Sequence, residues 1–322
     1  MDPQITHRDL AAFADDKVNL KKPEVDRQRA QVNGLRDRIE TKIAATPGFG
    51  LVKALHAGSV AKGTALSKTK DRDLALYVRA ELAPSDRPGL VNWMRDRIVE
   101  ANPNLGPDQI VAQTHCVTVN FRGTGLDVDV VPVLYEGDPD DVGYLVNKKT
   151  GDLVKTSTRQ HLDFIRGRKD DHPNLAQLIR FTKWWVRQQR KRDGDFKCKS
   201  FMLELIWAHL ADRGEVLDDY VDALEAFFTF LVVGGLDEQI AFTDFHKASD
   251  LPERGTSPIQ VLDPANFESN VADEYEPHHR KELEDAAQEA LDAITTARFE
   301  PTKGRAVALW QIVLGPAFTA AA

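Results

Sequence analysis

The feature that most constrains this chain is a pair of carboxylates set at the head of an apolar run. Asp71 and Asp73 lead directly into Leu74-Ala-Leu-Tyr-Val78. Such a run reads as a strand, and in a strand residues two apart project from the same face. The fold must therefore carry two carboxylates side by side on one face of a sheet, with Arg72 turned to the other. Like charges placed this way repel unless a cation stands between them. Mg²⁺, which takes oxygen ligands and shares them with substrate phosphates, suits such a pair. Upstream, the apolar stretch Leu51, Val52, Ala54, Leu55 ends in Gly58-Ser59, twelve residues before Asp71. The whole reads as strand, phosphate-gripping turn, connector, strand. Gly58 lets the backbone approach a phosphate closely, and Ser59 offers an N–H and a hydroxyl.

Two carboxylates rarely complete a two-metal site. A third is offered by a second β-prone run, Asp127-Val-Asp129-Val-Val-Pro132-Val-Leu. Asp127 and Asp129 share a face, so either could join Asp71 and Asp73 if the strands are neighbours. A two-metal site clamps the attacking and leaving oxygens of an in-line phosphoryl displacement.

Gly58-Ser59, Asp71-x-Asp73 and an aspartate three residues before Pro132 resemble the signature of the polymerase-β-like nucleotidyltransferases. The longer pattern Gly58-Ser59-x-x-x-Gly63-Thr64 resembles a narrower branch, the cGAS/DncV-like bacterial synthases of cyclic oligonucleotide second messengers (CD-NTases), relatives of the oligoadenylate synthases. The resemblance covers residues 55–132 with strong motifs and 180–272 with weaker ones. It implies an α+β, bilobed fold: a mixed-sheet catalytic lobe with an N-terminal bracing helix (residues 1–155) and a helical, oligoadenylate-synthase-like lobe (156–322). It favours Asp129 over Asp127, so that Asp71, Asp73 and Asp129 are the catalytic and metal-holding residues for two Mg²⁺ ions. Arg72 stands where many members carry an apolar residue. Lys199-Ser-Phe-Met-Leu-Glu-Leu205 resembles the motif that opens a helix of the second lobe. Carried over, Gly58, Ser59, Lys183, Lys199 and Ser200 hold a nucleoside triphosphate and Phe201 stacks on a base. The implied activity is synthesis of a cyclic di- or trinucleotide from ATP and/or GTP in anti-phage (CBASS) signalling. Transfer of a nucleotide onto RNA or a small molecule is the second reading, and a non-catalytic scaffold the third.

Composition narrows the field. The 322 residues, 42% apolar and 29% charged, suffice for one large or two ordinary soluble domains. No apolar stretch approaches the eighteen residues of a membrane span. No export signal opens the chain, and two cysteines, Cys116 and Cys198, fit a reducing cytoplasm. The net charge of −8 argues against broad DNA binding.

Along the chain, Val25, Val32, Leu35, Ile39 and Ile43 mark one face of a helix after Pro23. Leu90–Ala101 reads as a helix and Val111–Phe121 as a strand containing His115. After about residue 156 helical patterns take over, including Leu175–Arg190, Leu217–Val233, Pro277–Ala297 and Arg305–Val313, with Trp184 and Trp185 in the core. Arg180–Ser200 holds eight basic residues against Asp193 and Asp195, a net of +6, which reads as a triphosphate cradle. His278-His279 reads as surface. The tail Gly315–Ala322 has little to bury and reads as mobile. By resemblance, Ala322 is a point of attachment for a regulatory or ubiquitin-ligase-like partner.

Overall fold

A computed structural model describes residues 3–46, 50–67, 69 and 71–320. The chain resolves into two compact units, Leu20–Asp163 and Met1–Asn19 with Phe164–Ala322. The sequence division at 155/156 counted the N-terminal stretch with the first lobe; contacts group it with the C-terminal unit. That stretch is helix α1 (His7–Phe13) followed by a π-helical segment, Ala14–Val18. Thr6 donates its N–H and hydroxyl to the Asp9 carboxylate at 3.0 and 2.8 Å, closing a capping box.

The unit Leu20–Asp163 begins with α2 (Lys22–Ala44). Next come β1 (Leu51–Ala57), α3 (Gly58–Lys62), β2 (Asp71–Arg79) and α4 (Leu90–Ala101). The unit ends with β3 (Ile110–Ala112), β4 (Val117–Phe121), β5 (Leu126–Tyr135), β6 (Gly143–Val146) and β7 (Leu153–Thr156). The strands form one mixed sheet ordered β1-β2-β5-β4-β3, with β6 on β5 and β7 on β6. β2 and β5 run parallel; the other pairs are antiparallel.

Alternation sorts the two faces. Leu74, Leu76, Val78, Val128 and Val130 point into the main core, where Val32, Leu35 and Ile39 of α2 and Leu90, Val91, Met94 and Ile98 of α4 cover them. Each such fully buried aliphatic side chain contributes about 1.5–3 kcal/mol. On the opposite face Ala75, Tyr77 and Val133 form a smaller cluster. The residues continuing that face toward the start of the strands are Asp71, Asp73, Asp127 and Asp129. Arg72 lies on the core side, 5% exposed, and its Nη1 donates to the carbonyl of Asp71 at 2.9 Å.

The strand expected over Val111–Phe121 is instead a hairpin. β3 pairs with β4 through Val111↔Thr118, and the Gln113 N–H closes the turn on the Cys116 carbonyl at 2.8 Å. No glycine or proline marks this turn. His115 Nδ1 lies 3.1 Å from the Val146 carbonyl, and the Lys148 N–H donates to Thr114, so the turn is held by contacts distant in sequence.

The remaining helices are α5 (Thr158–Asp171), α6 (Leu175–Arg192), α7 (Ser200–Asp212), α8 (Tyr220–Val232), α9 (Pro277–Phe299) and α10 (Lys303–Leu314). Aromatic rings fill the second core: Trp207 stacks on Phe227 at 4.8 Å, and Trp185 meets Phe228 edge-on at 5.0 Å. Asp219 caps α8 by accepting from the N–H groups of Val221 and Asp222. A small sheet absent from the sequence reading, β8 (Gln239–Ile240), β9 (Gln260–Asp263) and β10 (Asn266–Asn270), lies between α8 and α9 in the chain.

The expectation of a mobile tail is overturned as far as the described residues reach. Phe318 is 0% exposed; its ring packs edge-on against Phe13 at 5.2 Å, and its carbonyl accepts from Gln311 Nε2 at 3.0 Å. One aromatic residue among small ones is enough to anchor the segment. Ala322 lies outside the described residues.

Candidate active site

The parallel register of β2 and β5 sets Asp71 beside Asp127 and Asp73 beside Asp129. Four carboxylates thus share one sheet face across two strands. Burial, then Asp129, then Asp71 push the Asp73 carboxyl up to about 6. Burial first, then Asp129 and Asp127, raise Asp71. The charge of Asp129 therefore bears on both Asp71 and Asp73, whereas that of Asp127 is felt at Asp71. Among the described residues no three carboxylate, histidine or cysteine side chains converge as a preassembled metal centre. The donor set is nevertheless all oxygen and mutually repelling on one face, which fits hard divalent cations.

The strand β1 enters the site through Ala57↔Asp73. Gly58 then turns the chain at φ +68, opening α3. A Cβ at Gly58 would stand 1.7 Å from Asp73 Oδ2, so both the backbone angle and the neighbouring carboxylate demand glycine. Ser59 follows, half-buried; its carbonyl accepts from the Thr64 N–H at 2.8 Å. The Gly-Ser step expected as a turn is thus the first turn of a five-residue helix. Lys62, 9% exposed, closes that helix and lowers the Asp73 pKa in opposition to the acids. It lies within the Gly-Ser-x-x-x-Gly-Thr motif, but the motif treats its position as free.

Strand β4 contributes residues that the sequence reading did not single out. Thr118 faces Asp129 across the antiparallel ladder, and its Oγ1 donates to Asp129 Oδ1 at 2.6 Å. Asn120 faces Asp127 and donates to it through Nδ2. Cys116 stands within hydrogen-bonding reach of Thr118 and Asp129; burial and then Asp129 push its thiol up to about 12. The alternation of Cys116, Thr118 and Asn120 with buried Val117 and Val119 is the signal that could have found them.

The other nucleotide-binding candidates belong to the C-terminal unit. Lys183 of α6 is 6% exposed, and its Nζ lies 2.6 Å from Glu204 Oε1 of α7. Lys199 precedes α7, with its Nζ 3.6 Å from carboxylate oxygens of both Asp273 and Glu274. Ser200 is the exposed first residue of α7, and Phe201 is half-buried.

The rest of the basic segment is also engaged. Arg180 donates to Gln177, and Arg190 to the carbonyls of Phe196 and Cys198. Arg192 meets Glu289 and the Ile312 carbonyl. Lys197 donates to the Glu274 carbonyl. Arg187 and Lys191 lie over the Trp184 ring at 5.4 and 5.9 Å. Trp184 and Trp185 are core residues, 8% and 1% exposed.

No family model matches the chain. A curated relative, the cyclic AMP-AMP-AMP synthase of Escherichia coli (strain MS 115-1), is 43% identical over 315 residues, 98% of each chain. Solved structures of Escherichia coli MS115-1 CdnC, one with ATP and one in a CdnC:HORMA-deltaN complex, are 42% identical. They superpose with a TM-score of 0.90, covering 98% of this chain and 99% of theirs. The Vibrio cholerae di-nucleotide cyclase, 10% identical over 94% of this chain and 93% of its own, shares the fold with a TM-score of 0.71. On the full-length likeness to the first of these, the chain belongs to the CD-NTases, the bacterial cyclic-oligonucleotide synthases of the polymerase-β-like nucleotidyltransferase superfamily.

Proposed function

We propose that this chain joins three ATP molecules into a cyclic AMP trinucleotide, releasing pyrophosphate at each step. The observation that carries the reading is the register of β2 and β5, which gives Asp71, Asp73 and Asp129 one face and leaves their charges opposing one another. The product follows the 43% identical relative named for it. Asp71, Asp73 and Asp129 would hold two Mg²⁺ ions. Bound there, the ions would neutralise the acids and the α-phosphate and lower the pKa of the attacking ribose hydroxyl. Asp129, rather than Asp127, is the third ligand: its charge reaches both Asp71 and Asp73, while that of Asp127 is felt at Asp71.

Gly58 brings the backbone close to the donor phosphates, and Ser59 supplies donors to them. Ser200 and Lys199, at the start of α7, contact the triphosphate, and Phe201 stacks on a base. Lys183 takes part only by sharing its ammonium with Glu204, 2.6 Å away. The division of labour is a catalytic lobe up to about residue 155 and a helical lobe from about 156 on, residues 1–19 grouping with the latter. The chain works in the cytoplasm; no described helix is long and apolar enough to cross a membrane. A HORMA-type regulatory protein is the partner suggested by the solved complex of the relative. Ala322 is the point of attachment by a ubiquitin-ligase-like enzyme.

The test is incubation with all four NTPs and Mg²⁺, then mass analysis of phosphatase-resistant products. A cyclic AMP trinucleotide from ATP alone is expected. Product that forms only with an RNA or small-molecule acceptor would overturn the reading.

A further inference from the structure

We propose that Thr118 is a positioning residue for the third carboxylate, fixing one oxygen of Asp129 against β4 so that the other is presented to the metal face. The inference rests on the reading of Asp71, Asp73 and Asp129 as the metal-holding set.

A lone aspartate on a strand can turn its carboxylate through a broad range about its last torsion. Opposed by Asp73 and Asp71, Asp129 would be driven away from them whenever no cation is present. The Thr118 hydroxyl opposes that rotation. It sits directly across the antiparallel ladder and donates to Oδ1 at 2.6 Å, the short distance of a bond to a charged acceptor. Threonine suits the task because its branched Cβ restricts χ1. The backbone around it is fixed too: Val117 and Val119 on either side are both 0% exposed. Two residues along the same ladder, Asn120 holds Asp127 in the same way. Asp127 stands beside Asp71 rather than Asp73, so this second pair supplies an internal control.

With Asp129 held in advance, the site orders less of itself when a cation binds, and metal affinity rises without an added ligand. A positioning role of this kind weakens metal binding when removed while leaving nucleotide affinity at saturating metal almost unchanged. Losses on the order of tenfold are usual for partners that orient a metal ligand.

The experiment uses full-length Thr118→Val, Thr118→Ser, Asn120→Leu and Asp129→Asn proteins, each checked for folding by thermal melting. Mn²⁺ binding to the nucleotide-free proteins is titrated by electron paramagnetic resonance, and the Mg²⁺ dependence of turnover is measured in parallel. Thr118→Val is expected to weaken Mn²⁺ binding and raise the half-saturating Mg²⁺ by about tenfold, with the KM for ATP at saturating Mg²⁺ changed less than twofold. Thr118→Ser should restore both, and Asn120→Leu should move them less than Thr118→Val does. Equal losses in Thr118→Val and Thr118→Ser, or an unchanged Mn²⁺ isotherm in Thr118→Val, overturn the proposal. Asp129→Asn binding Mn²⁺ like the unmodified protein overturns the metal assignment itself, and the positioning role with it.

Discussion

In the unit Leu20–Asp163, acids of one sign share a sheet face, and burial followed by these neighbouring acids raises the pKa values of Asp71 and Asp73. In the other unit, the eight cations between Arg180 and Lys199 each find a carboxylate, an amide, a carbonyl or an aromatic ring. Both clusters drew attention in the sequence as concentrations of charge. Only the first is left in mutual conflict by the fold. Charge that the fold satisfies can be explained by stability alone, whereas charge held in conflict has to be explained by what it will bind.

The largest effect should come from removing the conflict. Asp71→Asn with Asp73→Asn is expected to cut product formation at least a thousandfold, ~4 kcal/mol of barrier, while the metal-free protein melts higher. The sign follows from Asp73, whose carboxyl is raised from 3.8 to about 6 in the fold. A raised acid favours the folded state at low pH, and that advantage is lost as pH climbs from about 4 through 6. Above pH 6 the strain amounts to ~2–3 kcal/mol at most. The melting advantage of the variant should therefore be full at pH 7.5 without metal, shrink toward pH 4, and narrow when Mg²⁺ is added. An advantage independent of pH would break the contrast between the two clusters.

The pair Lys183 and Glu204 tests the satisfied side. Lys183→Met removes the cation 2.6 Å from a buried carboxylate and should cost about 3–5 kcal/mol. Lys183→Met with Glu204→Leu replaces the pair by apolar volume and should recover most of that stability. Turnover then discriminates: a stable but inactive double variant gives Lys183 a role with the triphosphate, and a stable, active one leaves it structural.

Asp129→Asn should lower turnover at least tenfold further than Asp127→Asn, a difference of about 1.4 kcal/mol or more. The reverse order would move the third ligand two residues along β5. The smallest effect is assigned to Lys199→Ala. Its 3.6 Å pairs are with exposed acids, so stability should change by no more than about 0.5 kcal/mol. A rise in the KM for ATP would still give the side chain a nucleotide role; an unchanged KM would remove it.

What was legible in the sequence was what local periodicity determines. Two-residue alternation put Asp71 and Asp73 opposite Arg72, and 3.6-residue spacing found α2 and α6. The choice between Asp127 and Asp129 was not local, because it turns on the register of two strands more than fifty residues apart. The basic segment shows the same limit from the other side: its charge was plain, but Glu204, Asp273, Glu274 and Glu289 reach it only through the fold. The hairpin at Gln113–Cys116 lacks turn residues, and the strands β8 and β9 are too short for alternation to register.

The burial of Phe318 against Phe13 sets a timetable for synthesis. Leu20–Asp163 is continuous and can fold as soon as it has left the ribosome. The C-terminal unit takes its first residues from the very start of the chain and its last aromatic from near the end. At ~5–20 residues per second, Phe13 waits ~15–60 s for its partner. Its other partners come sooner: Trp184, edge-on to Phe13, and Tyr220, stacked on His7, let α1 dock before Phe318 arrives. A ribosome stalled before codon 318 therefore carries an N-terminal helix without its final contact.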